Sequence, residues 1–278
     1  MNPSKSISRV VQDLKNTQVV DKLSDNDEGS YENVYICKKK GDNKRYVCKS
    51  INYASFNPLE FVVPILMRDN PHFMQLHNFV YSDKGDAFII MDHVADGDLF
   101  DLVKRDSEKY FLNEFVCRKI LFNLVNALHN LHEKQLIHND IKLENLLFDR
   151  KKKRLFVCDY GLVRAINTPS IYDGTTVYFS PEKITKQPCD PSFDWWAVGV
   201  VAYEILSTNY PFDIDEDNEE ELNGIQPEDM LPLYSKPLEK IKNVSSKAMD
   251  FVTKMLTLDI NNRLSTYDEI IKHPFMSF

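Results

Sequence analysis

The stretch His138-Asn139-Asp140-Ile141-Lys142-Leu143-Glu144-Asn145 decides how the rest of the chain is read. It sets a carboxylate (Asp140), a cation two residues on (Lys142) and an amide five residues on (Asn145) in one short segment flanked by apolar runs. Together these groups suit phosphoryl transfer. A carboxylate accepts a hydroxyl proton, an ammonium offsets charge on the moving phosphoryl group, and an amide oxygen ligates Mg²⁺. A polar turn after a helix would account for any one of them, but not for the set. Asp159-Tyr160-Gly161 follows fourteen residues after Asn145 and adds a second carboxylate at the end of the apolar run Leu155-Phe156-Val157-Cys158.

At 278 residues the chain is long enough for one large core or two packed lobes. Hydrophobic residues make up 43% and charged residues 27%, the balance of a globular protein. No apolar run reaches the length of a membrane span, and the first ten residues lack the apolar centre of a signal peptide, so an intracellular setting is expected. The five cysteines are scattered and never form a Cys-x-x-Cys pair, which points to neither a disulfide framework nor a zinc site. A formal charge of −8 argues against a broad nucleic-acid-binding surface and suits basic protein partners.

The order and spacing of the central groups resemble the catalytic loop and metal-binding aspartate of protein kinases. The resemblance runs from about Val19 to Phe275. It implies an α+β, bilobal fold with a small β-rich N-lobe (19–91), a hinge (92–97) and a larger, mainly helical C-lobe (98–278). Residues 1–18, with Ile7, Val10, Val11 and Leu14 at helical spacing, are expected to form a helix packed on the kinase domain. It also implies ATP and Mg²⁺, with Mn²⁺ as a substitute, and assigns Asp140 as the base, Lys142 to the γ-phosphoryl group, and Asn145 and Asp159 to the metal.

In the N-terminal part, Val34-Tyr35-Ile36-Cys37 and Tyr46-Val47-Cys48-Lys49 flank a polar turn, as in a β-hairpin. The loop before Val34 sits where kinases carry a glycine-rich phosphate cover. The three usual glycine positions hold Asp27, Gly29 and Glu32, so only the central glycine, Gly29, is present. Glycines let backbone N–H groups approach phosphates, and Asp27, Glu28 and Glu32 add negative charge, so loose or unusual ATP binding is expected. Lys49 matches the strand lysine that holds the α- and β-phosphates. Its expected partner is Glu60, eleven positions on, in a segment that also reads as a helix start: Asn57 as cap, Pro58 at the first position, Glu60 at the capping-box position. Glu60 could cap, pair with Lys49, or alternate. Pro64 should leave this helix short or kinked. By resemblance Met91 is the gatekeeper, the backbone of Asp92 and Val94 meets adenine, and Asp98 lies near ribose or a substrate side chain, with a loop and N-cap as the other reading of 96–98.

Downstream, Ile120, Leu124, Leu128 and Leu131 mark a long core helix between Leu112 and Gln135. The basic run Asp149 to Arg154 reads as a solvated hairpin turn, with nuclear import as the alternative. Gly174-Thr175-Thr176-Val177-Tyr178-Phe179-Ser180-Pro181-Glu182 is similar to the end of a serine/threonine kinase activation segment. There Thr175 would align Asp140 and Lys142, and Glu182 would pair with Arg263. Asp194 is expected to brace the catalytic-loop backbone from a buried helix. Seven acidic residues among the nine from Asp213 to Glu221 would attract Arg- or Lys-rich substrates.

Ser192-Phe193-Asp194-Trp195-Trp196-Ala197-Val198-Gly199 and the degenerate glycine loop look most similar to the protein kinase 1 family of baculoviruses. That implies a viral enzyme acting late in infection, in the host nucleus or cytoplasm, on basic proteins. Neither direct nucleic-acid binding nor membrane association is expected, and homo-oligomerisation is left open. The competing class is a pseudokinase scaffold, suggested by the missing glycines, the Glu60 region and Asn139. A nucleic-acid-binding regulator would rest on Lys151 to Arg154 alone. Asn139 stands where kinases switched by phosphorylation commonly carry an arginine, and it has no charge to pair with a phosphate. Activity without phosphorylation of Thr168, Ser170 or Thr176 is therefore expected.

Overall fold

The computed structural model describes residues 17–22, 34–41, 44–51, 57–81, 87–105, 112–214 and 224–278. The chain divides into two compact units at Ala95/Asp96.

The first unit is built on an antiparallel five-stranded sheet with the order β1-β2-β3-β5-β4: β1 (Thr17–Lys22), β2 (Val34–Lys39), β3 (Arg45–Ile51), β4 (Leu76–Tyr81) and β5 (Ala87–Asp92). The expected hairpin is β2 against β3, with Val34 opposite Lys49. β-branched and aromatic residues make up about half of these strands, as a half-buried pleated surface favours. Ile51, Ala87 and Ile89 form the buried centre, covered by Phe61, Leu76, Phe79 and Met91, and Phe61 stacks on Phe79 at 4.4 Å. One expectation needs correction. Residues 1–16 of the expected N-terminal helix lie outside the described residues, but Thr17 and Gln18 are strand, paired with Lys39 and Lys38. β-branched Thr17, Val19 and Val20 favour that edge strand over a helix.

Helix α1 (Leu59–Leu66) is short, at eight residues, as Pro64 suggested. The Asn57 side chain accepts the Leu59 N–H at 3.0 Å, and the backbone closes on Met67, whose N–H donates to Val63 at 2.9 Å.

The second unit is mainly helical. Helix α2 (Glu114–His132) begins at Asn113, whose carboxamide accepts the Val116 N–H at 3.0 Å, a cap worth about 1 kcal/mol. Its Ile120, Leu124, Leu128 and Leu131 stripe is fully buried. The chain then passes through β6 (Leu136–Ile137), β7 (Leu146–Asp149), β8 (Arg154–Val157) and β9 (Arg164–Ala165), pairing β6 with β9 and β7 with β8. Lys151, Lys152 and Lys153 are exposed at the β7–β8 turn, where Lys152 pairs with Asp149 at 3.3 Å. That is the solvated hairpin turn.

Two short helices, α3 (Pro181–Ile184) and α5 (Met230–Tyr234), flank α4 (Ser192–Ser207), and α6 (Ser246–Met255) and α7 (Tyr267–Lys272) close the unit. Every residue of α4 from Ser192 to Leu206 is buried. Gly199 sets its approach to the α6 end, since a Cβ there would lie 2.8 Å from Leu256 Cδ2 and 2.9 Å from Met255 Cβ. No helix among the described residues is long and apolar enough to cross a membrane, and the five cysteines are free thiols.

Candidate active site

In the first unit, the Lys49 ammonium forms an ion pair with Glu60. Glu60 is 5% exposed, and its carboxylate faces the strand lysine. Val34 lies buried on β2, and Gly29 lies outside the described residues. Met91 stands on β5 opposite Val47, its side chain packed on the sheet core. Asp92 accepts from His77 at 2.7 Å and Lys44 at 2.9 Å. The His77 hydrogen bond outweighs burial and, with Lys44, holds that carboxyl down at about 2. Val94 follows in the loop after β5.

In the second unit, Asp98 accepts the Asp101 N–H at 2.9 Å, the cap reading of this position, while burial pushes its carboxyl up to about 6. The catalytic-loop residues converge more tightly. Asp140 Oδ1 accepts from Thr175 N at 3.1 Å and from Thr175 Oγ1 at 3.0 Å. The same hydroxyl accepts from Lys142 Nζ at 2.9 Å. Asp140 Oδ2 accepts from Asn145 Nδ2 at 2.9 Å, and Lys142 Nζ lies 3.7 Å from it. One polar chain thus runs Lys142–Thr175–Asp140–Asn145. Gly174 makes it possible: its backbone is left-handed at φ +96°, and a Cβ there would meet Asp140 Oδ1 at 3.1 Å and the Asn139 carbonyl at 3.2 Å.

The loop backbone is held from below. Asp194, 1% exposed, accepts the N–H groups of His138 and Asn139 at 2.8 Å each and the ring N–H of His132 at 2.7 Å. Burial would raise its carboxyl, but His132 and these neighbours hold it below the usual range. The His138 ring donates to the Cys158 carbonyl at 3.0 Å, tying the loop to the residue before Asp159. Asp159 takes a left-handed backbone at φ +58°, a conformation aspartate tolerates better than most residues. The extra hydroxyl of buried Tyr160 is satisfied by the Val157 carbonyl at 2.7 Å. Arg263, its side chain fully buried, grips Glu182 in a fork of 2.8 and 2.9 Å and lies over the Trp196 ring.

These residues fit a magnesium ion. Both Asn145 amide protons go to Asp140, at the backbone carbonyl and at Oδ2, so the amide oxygen is the atom left to ligate. Among the described residues no cluster of three His, Cys, Asp or Glu could cage a metal. Mg²⁺ suits such a site, since it takes one or two protein oxygens and completes its shell with phosphate oxygens and water.

Sequence reasoning missed the partners of Asn139. Its amide donates to Asp173 Oδ1 at 3.1 Å and to the Leu162 carbonyl at 3.0 Å, and its oxygen accepts from Lys183 at 2.7 Å. The only available signal was an aspartate directly before Gly174.

The protein kinase domain model matches residues 27–276. The chain belongs to the protein kinase family and is a serine/threonine protein kinase. It is similar to serine/threonine-protein kinase 1 of Heliothis zea nuclear polyhedrosis virus, 38% identical over 90% of this chain and 91% of the relative. It is also similar to serine/threonine-protein kinase 1 of Lymantria dispar multicapsid nuclear polyhedrosis virus, 40% identical over 68% of this chain and 67% of the relative. Among solved structures, it resembles the Cydia pomonella granulovirus kinase PK-1, with 64% identity, a TM-score of 0.91, and coverage of 99% of this chain and 100% of that one.

Proposed function

We propose that this kinase transfers the γ-phosphoryl group of ATP, with Mg²⁺, to serine and threonine hydroxyls of Arg/Lys-rich proteins, late in viral infection. The observation that carries the reading is the placement of Thr175 on Asp140 and Lys142. Asp140 stands ready to orient a substrate hydroxyl and take its proton, with one oxygen fixed by Thr175 and the other by Asn145. Lys142 supplies positive charge beside that oxygen, where the transferred group gathers negative charge. Lys49, pre-oriented by Glu60, holds the α- and β-phosphates. Asn145 and Asp159 would hold the metal, which when bound would neutralise charge on the phosphate oxygens.

A preference for basic substrates is supported by the net charge of −8 and by the acidic run 213–221, of which residues 215–221 lie outside the described residues. The viral, late-acting role in the host nucleus or cytoplasm is supported by the likeness to baculovirus kinases. The test is incubation of the purified chain with labelled ATP, Mg²⁺ and an arginine-rich protein, beside an Asp159→Ala control. Transfer only by the unaltered chain is expected. Equal labelling by both would favour a scaffold without catalysis.

A further inference from the structure

Lys183 is the least expected charged residue in the second unit. It lies on the four-residue helix α3, next to Glu182, and is only 2% exposed. A buried ammonium is costly unless each proton finds an acceptor. Here three acceptors are present: Asn139 Oδ1 at 2.7 Å, the Asp173 carbonyl at 2.5 Å, and Asp173 Oδ1 at 3.3 Å. Asp173 is itself held from a second side, where Arg164 closes on Oδ2 with Nε at 2.9 Å and a terminal nitrogen at 2.6 Å.

Asn139 lies at the centre, and its orientation is forced. The oxygen faces an ammonium, and the NH₂ group faces a carboxylate and the Leu162 carbonyl. A flipped amide would set donor against donor and acceptor against acceptor. Burial would raise the Asp173 carboxyl, but Asn139, Arg164 and Lys183 hold it below the usual range.

The location gives this network its consequence. Asn139 immediately precedes Asp140, and Asp173 precedes the Gly174-Thr175 pair that meets Asp140. The network therefore clips together, one residue away, the two backbone segments whose contact forms the Thr175–Asp140 hydrogen bonds. Its anion is an encoded carboxylate, and no added phosphate is needed to complete the charge balance around Arg164 and Lys183.

We propose that Asp173 and Lys183 are positioning residues that hold Thr175 on Asp140, so that the activation segment is set for catalysis without phosphorylation. This rests on the kinase reading above. Neither residue touches the reacting atoms, so their loss acts on alignment, and misplacement of about 1 Å can cost about 10²-fold in rate.

The experiment measures kcat and the KM for ATP, with an arginine-rich protein as acceptor. It compares the unaltered chain before and after phosphatase treatment with Asp173→Asn, Lys183→Met and Asp173→Glu, and records the melting temperature of each. Asp173→Asn and Lys183→Met should lower kcat about 10²-fold at a temperature where both are folded, with KM for ATP little changed. Asp173→Glu, which keeps the carboxylate, should recover part of the loss, and phosphatase should leave kcat of the unaltered chain unchanged. Undiminished kcat in either Asp173→Asn or Lys183→Met, or silencing by phosphatase, would overturn the proposal while the kinase reading stands. If Lys183→Met does not fold, the near-isosteric Asp173→Asn decides alone. Absence of turnover by the unaltered chain would overturn the kinase reading, and this proposal with it.

Discussion

Lys142 Nζ donates to Thr175 Oγ1 at 2.9 Å, and that hydroxyl in turn donates to Asp140 Oδ1 at 3.0 Å. The threonine touches both the proposed base and the proposed electrostatic stabiliser. It arrives from the activation segment, thirty-three residues further along the chain. Catalytic geometry therefore depends on where that segment is docked.

Removing the Thr175 hydroxyl should free both partners. Thr175→Ala is expected to lower kcat about 10- to 100-fold, with the KM for ATP changed little, because alignment and not phosphate binding is lost. Thr175→Ser keeps the donor and should retain most activity. Steady-state kinetics of the two variants check this, and equal defects in both would contradict it.

The Glu182–Arg263 fork anchors the far end of the same segment. Arg263 also donates to the Thr257 and Leu258 carbonyls at 2.7 and 2.8 Å, so its removal strands several acceptors at once. Arg263→Ala should cost about 3–5 kcal/mol of stability, the range for breaking one side of a buried pair. Denaturant unfolding measures it, and a loss below about 1 kcal/mol would show that solvent replaces the guanidinium without penalty.

Asp92 offers a pH signature in the first unit. Its folded-state carboxyl titrates at about 2 against an ordinary value of 3.8, so it stabilises the fold fully above the ordinary carboxylate range. That contribution is lost as pH falls toward about 2. Its side chain is 29% exposed, and with screening the contribution is about 1–2 kcal/mol. The melting-temperature gap between the unaltered chain and Asp92→Asn should therefore be largest near neutrality and shrink below about pH 4. A gap that stays constant down to about pH 3 would contradict the assignment.

What the sequence made legible was the set of residues whose chemistry requires a fixed type at a fixed spacing. Asp140, Lys142, Asn145 and Thr175 come into contact, as do Lys49 with Glu60, Glu182 with Arg263, and Asp194 with the loop backbone. Helix α2 was legible because Ile120, Leu124, Leu128 and Leu131 recur at helical spacing within its nineteen residues. The edge of the sheet was harder to read, since β1 and β4 break the apolar–polar alternation of a strand at Val19-Val20 and His77-Asn78. The Asp173–Lys183 clip was invisible because Asn139 reaches it from a separate segment of the chain. Lysine in a polar stretch reads as a solvated side chain, and only the fold brings it under Asn139. In the sequence Asn139 stands out for the charge it lacks, whereas its hydrogen bonds are what place it in the structure.

The most direct test of the account is phosphoryl transfer by Asp140→Asn, measured together with nucleotide binding by the same protein. The asparagine keeps the shape of the side chain and loses the ability to take the hydroxyl proton. The account predicts that transfer to an arginine-rich protein falls by about 10²-fold or more while ATP binding stays measurable. Transfer undiminished by this substitution would contradict the role of Asp140, and with it the catalytic site built around His138 to Asn145.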